Sequence, residues 1–290
     1  MYYCLSIKEV LKLNGCLSIA FKITNWCNLN CLHCCENSGC GEPLNFMDLE
    51  KLERYVHESK EIQFNVYEGV VMTGGEALAP YLFGQPNYIP TALKHIQHAG
   101  YVPTIKTNGL WGKRADVRMN ILKDMAKSAY ASGKLVTLDI SVDEFHNNMS
   151  PVANIIADSL SSNEITYGVR IVLVGFNTEK SFMALEKLKH ELYARDLEIE
   201  TLPEGDWGVY NAAGTGFRVF LGYDNSIFDL GRAKQNNVYN MIRLPKSKFA
   251  EHCLIMDSND TVTLDYDYSE KIAGRKIKTV FESLVRNYGD

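Results

Sequence analysis

The chain has 290 residues, of which 46% are hydrophobic, and its formal net charge is −5. This length is enough for one large domain with a full core. The sequence contains no basic stripe, and its apolar runs are far shorter than the roughly 20 residues that cross a bilayer. It therefore gives no indication of a nucleic-acid partner or a membrane partner. The N-terminus lacks the pattern of a signal peptide, so we expect a soluble cytoplasmic protein, where reducing conditions favour metal-binding or catalytic cysteines over disulfides.

Short β-branched runs alternate with stretches of helical periodicity through most of the chain. Strands are predicted at residues 17–24, 69–73, 101–107, 135–142, 166–174 and 197–202, with helices at 46–61, 88–99, 114–131, 151–160 and 181–193. Six strands alternating with five helices imply a parallel sheet with right-handed crossovers. Because six units fall short of a closed eight-unit barrel, the sequence predicts an α/β fold, a partial (βα)6 TIM-like barrel. In such folds the chemistry lies at the carboxyl ends of the strands.

The alternating pattern ends near residue 203, where Gly and Asn become frequent. We therefore expect an N-terminal segment at 1–16, a partial barrel at 17–202 and a small irregular C-terminal extension at 203–290 that covers the substrate. Because the segment before the first strand is short, we do not expect it to form a separate domain that binds the leader of a peptide substrate.

Five of the eight cysteines lie within residues 25–40, directly after the first predicted strand. Cys27, Cys31 and Cys34 follow the spacing C-x3-C-x2-C. Three thiolates on one short loop can hold three corners of a cubane iron–sulfur cluster, which leaves the fourth iron open to a substrate or cofactor. A structural zinc site is an alternative, since His33 or a neighbouring cysteine could add a ligand, but there is no second CxxC pair. A disulfide network is a third alternative.

Further motifs follow the next predicted strands in order. Gly74-Gly75-Glu76 ends the second strand, Thr107-Asn108-Gly109 the third and Ser141-Val142-Asp143 the fourth. With the cysteine loop, this order resembles the radical S-adenosylmethionine (radical SAM) family. The resemblance implies a [4Fe–4S] cluster with Cys27, Cys31 and Cys34 as ligands. It further implies that S-adenosyl-L-methionine (AdoMet) is bound by His33, Gly74, Gly75, Glu76, Thr107, Asn108, Ser141, Asp143 and Arg170.

The resemblance also implies a reaction. The open iron would chelate AdoMet, and one electron would cleave it to methionine and a 5′-deoxyadenosyl radical, which takes hydrogen from the substrate. The cofactors supply this chemistry, while the protein supplies positioning and a dry cavity. An electron donor such as flavodoxin or ferredoxin is the expected partner.

The substrate is indicated by a narrower resemblance. Residues 108–112 and 141–146, with Gly231-Arg232-Ala233, resemble the branch that modifies ribosomally made peptides (RiPPs), including peptide Cα epimerases. In that branch a cysteine near the position of Cys253 begins an auxiliary-cluster (SPASM/twitch) motif. No cysteine follows Cys253 here, so a complete auxiliary cluster is not expected. The resemblance then implies that Cys253 donates hydrogen to a substrate radical, and the alternative is a buried structural cysteine.

Several alternatives remain open at this point. A radical SAM enzyme for a small molecule, such as a nucleoside, sugar or antibiotic precursor, is one, and a zinc-stabilised binding module is the non-enzyme alternative. Asp143, Glu144 and His146 could serve ribose binding or proton transfer, or two of them could cap the helix that follows.

Overall fold

The structure is a computed structural model that describes residues 17–61, 69–224, 231–236, 252–264, 268–272 and 274–288. Its strands are β1 (Leu17–Thr24), β2 (Val70–Gly74), β3 (Pro103–Thr107), β4 (Val136–Ser141), β5 (Val169–Phe176), β6 (Glu198–Thr201), β7 (Trp207–Tyr210), β8 (Gly216–Asp224), β9 (His252–Asp257), β10 (Thr261–Leu264) and β11 (Tyr268–Lys271). Its α-helices are α1 (Leu49–Ser59), α2 (Ala79–Leu82), α3 (Tyr88–His98), α4 (Ala115–Ser132), α5 (Met149–Ser159), α6 (Asn163–Gly168), α7 (Glu179–Tyr193), α8 (Gly231–Gln235) and α9 (Ile277–Tyr288).

All the described strands belong to one sheet, in the order β11-β10-β9-β1-β2-β3-β4-β5-β8-β7-β6. The strands from β9 to β8 in this order run parallel to their neighbours. Antiparallel hairpins extend both ends, β10-β11 on one side and β7-β6 on the other. Within the described residues the sheet does not close on itself. The predicted α/β fold with an open, mainly parallel barrel-like sheet is therefore confirmed.

The main core lies between one face of the sheet and the helices that follow the strands. In β1, Ile19, Phe21 and Ile23 on this face have no exposed surface, whereas Lys22 on the opposite face is half-buried. Parallel sheets covered by crossover helices bury such faces. In the part of the chain that the structure describes, no helix combines the length and apolar character that a membrane crossing requires.

Several strand predictions need correction. The stretch predicted as the sixth parallel strand is β6, an edge strand that pairs antiparallel with β7, and β8 takes the place beside β5 instead. Burial explains the difference, because β6 is largely exposed while β8 lies against the core through Val219. Residues 166–168 belong to α6 rather than to the fifth strand, since the side chain of Ser162 caps that helix by accepting from the Ile165 N–H at 3.3 Å.

Where the structure describes it, the region after residue 203 is more regular than the sequence pattern indicates. Strands β7 to β11 come from it and extend the same sheet on both sides, so the expected boundary at 202/203 does not coincide with a break in the sheet. The predicted N-terminal segment at 1–16 lies outside the described residues. That the C-terminal extension covers the substrate stays a prediction.

Candidate active site

The cysteine loop leaves the carboxyl end of β1 and returns close to its own start. The Cys27 N–H donates to the carbonyl oxygen of Gly39 at 3.2 Å, and Trp26 forms an isolated β-bridge with Gly39. Inside the loop, the Cys34 N–H donates to the Cys31 carbonyl at 3.2 Å. These bonds make a compact loop at the edge of the sheet where β2, β3 and β4 also end.

The Gly74-Gly75-Glu76 turn packs directly against this loop. The Gly75 N–H donates to the carbonyl of Thr24 at 2.7 Å, and the Glu76 N–H donates to the carbonyl of Trp26 at 2.9 Å. A Cβ atom on Gly75 would lie 2.0 Å from the Trp26 oxygen, which no side chain can tolerate. Glycine is required here because the end of β2 must approach the backbone of the cysteine loop closely.

Glu76 connects the end of β2 to the end of β3. Its side chain is fully buried, and its carboxylate accepts from the Thr107 hydroxyl at 2.7 Å, the Leu78 N–H at 3.0 Å and the Asn108 N–H at 3.1 Å. Burial raises the pKa of Glu76, although these three hydrogen bonds act in the opposite direction. The carboxylate therefore serves to fix the Thr107-Asn108-Gly109 turn in place.

Two of the three cysteines of the C-x3-C-x2-C motif have a side-chain nitrogen from another strand end close to their sulfur atoms. The Asn108 side-chain amide lies 3.6 Å from Cys27 Sγ, and His146 Nε2 lies 3.6 Å from Cys31 Sγ. The other ring nitrogen of His146 lies 2.8 Å from Asp143 Oδ1, which also accepts from the Phe145 N–H at 2.8 Å. Cys31, His146 and Asp143 thus form a chain that leads from the cysteine loop to the end of β4.

The electrostatics of this chain follow from its contacts. Burial by itself disfavours a charged ring, but the hydrogen bonds and negative charges of Asp143 and Cys31 raise the pKa of His146 to about 10. Burial likewise opposes ionisation of Asp143, yet the bond and charge of His146 lower its pKa. Burial lowers the pKa of His33 to about 4, so that ring is neutral.

His33 belongs to an aromatic group beside the cysteines. Its ring centroid lies 4.4 Å from that of Phe145 and 5.6 Å from that of Phe176, at the ends of β4 and β5. The ligand atoms of His33, Asp143 and His146 also lie within 4.8 Å of one another. The site therefore has an apolar, aromatic side next to a polar one.

The three cysteines of the C-x3-C-x2-C motif are a donor set that fits an iron–sulfur cluster, because such clusters are held by cysteine thiolates. All three thiols are free, and burial raises the pKa of Cys27 to about 12, with smaller contributions from the charges of Glu76, Cys31 and Cys34. A buried thiol of this kind is stabilised as thiolate when it coordinates a metal.

Arg232, in the C-terminal part of the chain, forms hydrogen bonds to the backbone of the cysteine loop. Its Nε donates to the Cys31 carbonyl at 3.0 Å, and its guanidinium also bonds to the Ser38 carbonyl. Its backbone N–H donates to the Cys34 carbonyl at 2.9 Å. Gly231-Arg232-Ala233 resembles a family element in sequence, but the resemblance did not predict this contact.

Arg170 and Cys253 are not brought to this site. Arg170 is the second residue of β5, lies beside Thr137 in the register and is exposed, with its guanidinium 5.5 Å from the Phe220 ring centroid. Cys253 is the second residue of β9, and its backbone lies beside Ser18 near the start of β1. Both positions are at the amino ends of parallel strands, whereas the cysteine loop follows the carboxyl end of β1. The structure therefore does not support AdoMet binding by Arg170 or hydrogen donation by Cys253.

The residues at and after the end of β4 have two kinds of contact. Some connect to the candidate site, and others only hold neighbouring elements together. Ser141 is the last residue of β4, and its carbonyl accepts from the Asn148 side chain at 2.7 Å. The same amide donates to the carbonyl of Asn108 at 2.6 Å, a link that the sequence did not reveal. Glu144 instead accepts from the hydroxyls of Thr178 and Ser181 at the start of α7, so its role is structural.

Comparisons with known proteins agree with this geometry. The sequence profile of the Radical SAM superfamily matches residues 21–188, more than half of the chain. Among solved structures, one described as "Native anSMEcpe with bound AdoMet" is similar to this chain with a TM-score of 0.51 and 15% sequence identity, covering 94% of this chain and 82% of that one. Another, "Native anSMEcpe with bound AdoMet and Cp18Cys peptide", has the same TM-score and identity, covering 93% of this chain and 81% of that one. No curated protein has a matching sequence. The chain therefore belongs to the Radical SAM superfamily, whose enzymes use a [4Fe–4S] cluster and S-adenosylmethionine.

Proposed function

We propose that this enzyme abstracts a hydrogen atom from a peptide or amino-acid-like substrate, as in the modification of a RiPP. Cys27, Cys31 and Cys34 would hold the cluster. When bound, the cluster and AdoMet supply a 5′-deoxyadenosyl radical after reduction by a donor such as flavodoxin or ferredoxin. The protein's own part is to place AdoMet and substrate and to keep water out. We place this reaction in the cytoplasm, whose reducing conditions suit free thiols.

The turn at the end of β2 offers acceptors for the amino group of AdoMet. The N–H groups of Gly75 and Glu76 are already bonded to the cysteine loop. The N–H bonds of this amino group can only donate, so the carbonyl oxygens of Gly74 and Gly75 are the suitable partners. Glu76 and Thr107 would act indirectly, by holding this turn against Asn108.

The aromatic group and the end of β4 suit the nucleoside part of AdoMet. The neutral ring of His33, with Phe145 and Phe176 beside it, gives an apolar surface on which adenine can stack. Ser141 and Asp143 lie at the adjacent strand end, where a hydroxyl and a carboxylate can bind ribose hydroxyls. These assignments agree with the order of the motifs along the sheet.

The peptide substrate is supported by one observation above the others. The likeness to anSMEcpe, a protein whose solved structures include a bound peptide, covers 93% of this chain and thus extends beyond the matched residues 21–188. We do not include Cα epimerisation by Cys253 in the proposal, because the register places that residue at the far end of β1.

The test uses the anaerobically reconstituted enzyme with reductant and AdoMet. Synthetic peptides translated from short reading frames beside the gene are added, unlabelled or deuterated at Cα and Cβ. We expect one peptide to stimulate 5′-deoxyadenosine formation and to pass deuterium into it, as mass spectrometry would show. Stimulation by nucleosides or sugars alone, with no response to any peptide, would replace the peptide with a small-molecule substrate.

A further inference from the structure

Nitrogen donors reach the cluster cysteines from two different strand ends. Asn108, at the end of β3, lies 3.6 Å from Cys27 Sγ, and His146, after β4, lies 3.6 Å from Cys31 Sγ. Both distances suit N–H···S hydrogen bonds, which are longer than N–H···O bonds because sulfur is large. Asn108 has 6% of its surface exposed and His146 has 7%, so these contacts lie in the protein interior. There a hydrogen bond is electrostatically stronger than in water.

Asp143 orients the His146 ring toward Cys31. Its carboxylate is 3% exposed and lies 2.8 Å from Nδ1, so it accepts a hydrogen bond from the N–H on that side of the ring. A thiolate bound to iron is also an acceptor, and it faces Nε2. A ring held between two acceptors donates from both nitrogens. The Phe145 N–H, at 2.8 Å from the same carboxylate oxygen, keeps Asp143 in this orientation.

We infer that His146, oriented by Asp143, donates a hydrogen bond to the Cys31 thiolate and raises the reduction potential of the cluster, with Asn108 doing the same at Cys27. The reason is electrostatic. Reduction adds one negative charge to the cluster and its thiolates, and a donor aimed at a sulfur stabilises that added charge. Hydrogen bonds to the cysteine sulfurs are among the main determinants of iron–sulfur potentials. His146 is thus a positioning and tuning residue rather than a catalytic one.

This inference requires the cluster but not the peptide substrate. Its failure would leave the proposed substrate class untouched, and a failure of the substrate assay would leave this inference untouched. The measurement is therefore made without substrate or AdoMet. It is a redox titration of the reconstituted enzyme in which the reduced cluster is followed by electron paramagnetic resonance.

The variants distinguish the effect of the hydrogen bond to Cys31 from the effect of filling the space of the His146 side chain. His146→Leu removes the donor, and His146→Gln keeps an amide N–H near the position of Nε2. His95→Leu is the matched control, because His95 also pairs with a carboxylate, Glu53 at 3.1 Å, but on helix α3 away from the cysteines. We expect a more negative midpoint potential for His146→Leu, partial or full recovery for His146→Gln and no change for His95→Leu. Asp143→Asn should shift the potential in the same direction as His146→Leu.

An unchanged potential in His146→Leu with full iron content would overturn the inference. If that variant does not take up the cluster, a second measurement on enzyme that retains His146 tests the inference instead. Pulsed electron paramagnetic resonance on reduced enzyme with ¹⁵N-labelled histidine should then detect a weakly coupled ring nitrogen that persists in His33→Phe. Absence of this coupling would also overturn the inference.

Discussion

Arg232 donates a hydrogen bond from Nε to the carbonyl oxygen of Cys31 at 3.0 Å, across a separation of 201 residues in the sequence. The same guanidinium bonds to the carbonyl of Ser38, so one side chain joins two points of the cysteine loop. A segment far along the chain therefore helps to hold the loop that would bind the cluster.

Replacing Arg232 by methionine should loosen the cysteine loop. Hydrogen bonds from a charged donor contribute about 1.5–3 kcal/mol each, and the variant loses two carbonyl partners at once. We expect a lower free energy of unfolding and faster loss of iron to a chelator. Arg232→Lys should recover little, because a lysine cannot reproduce the fork of the guanidinium. Arg114→Met, which removes an exposed pair with Asp116, is the control and should keep its iron.

Replacing Glu76 by alanine should disturb the ends of both β2 and β3. The change leaves the Thr107 hydroxyl and two backbone N–H groups without their acceptor, at a cost of roughly 1–3 kcal/mol for each buried group. We expect a large fall in thermal stability and weaker AdoMet binding. Calorimetry on the apo protein and equilibrium dialysis on the holoenzyme measure the two effects. Wild-type stability in this variant would show that the carboxylate does not hold the turn.

Replacing Gly75 by alanine should prevent the cysteine loop from docking. Its new Cβ would lie 2.0 Å from the Trp26 carbonyl oxygen, and the backbone on both sides would have to move. Overpacking of this kind costs about 1–3 kcal/mol or more. Gly41→Ala is the matched control in the same region, because a Cβ at Gly41 would meet nothing within 4 Å. Iron content after reconstitution should fall in Gly75→Ala only, and equal iron content in both variants would argue against the close approach.

Replacing Cys253 by serine should leave the reaction unchanged. Its backbone lies beside Ser18 near the amino end of β1, while the cysteine loop follows the carboxyl end of that strand at Thr24. We expect the same yield of 5′-deoxyadenosine and the same product stereochemistry in deuterated water. A loss of solvent deuterium from the product would instead restore Cys253 as the hydrogen donor.

Local patterns in the sequence were sufficient to predict the motifs and most helices. The spacing of the cysteines, the glycines at the end of β2 and the turn at Thr107 each depend on a few neighbouring residues. The helical periodicity predicted α3 as residues 88–99, and the structure has Tyr88–His98. These features are encoded within short segments.

Relations between distant segments were not predictable in the same way. Whether Arg170 and Cys253 reach the site depends on the register of β5 and β9 against their neighbours, which no local pattern specifies. The bonds from Asn148 to the ends of β3 and β4 and from Arg232 to the cysteine loop depend on tertiary contacts. The place of β8 beside β5 likewise follows from hairpin pairing rather than from the composition of either strand.

The most direct measurement is the formation of 5′-deoxyadenosine by the reconstituted enzyme. Wild-type protein, Cys34→Ala and Cys40→Ala are loaded with iron and sulfide without oxygen and then given dithionite and AdoMet. Cys40 is the control, because it lies in the same loop but is exposed. We predict 5′-deoxyadenosine from wild type and Cys40→Ala, and only background from Cys34→Ala. Undiminished product from Cys34→Ala, or none from a fully loaded wild-type enzyme, would contradict the account.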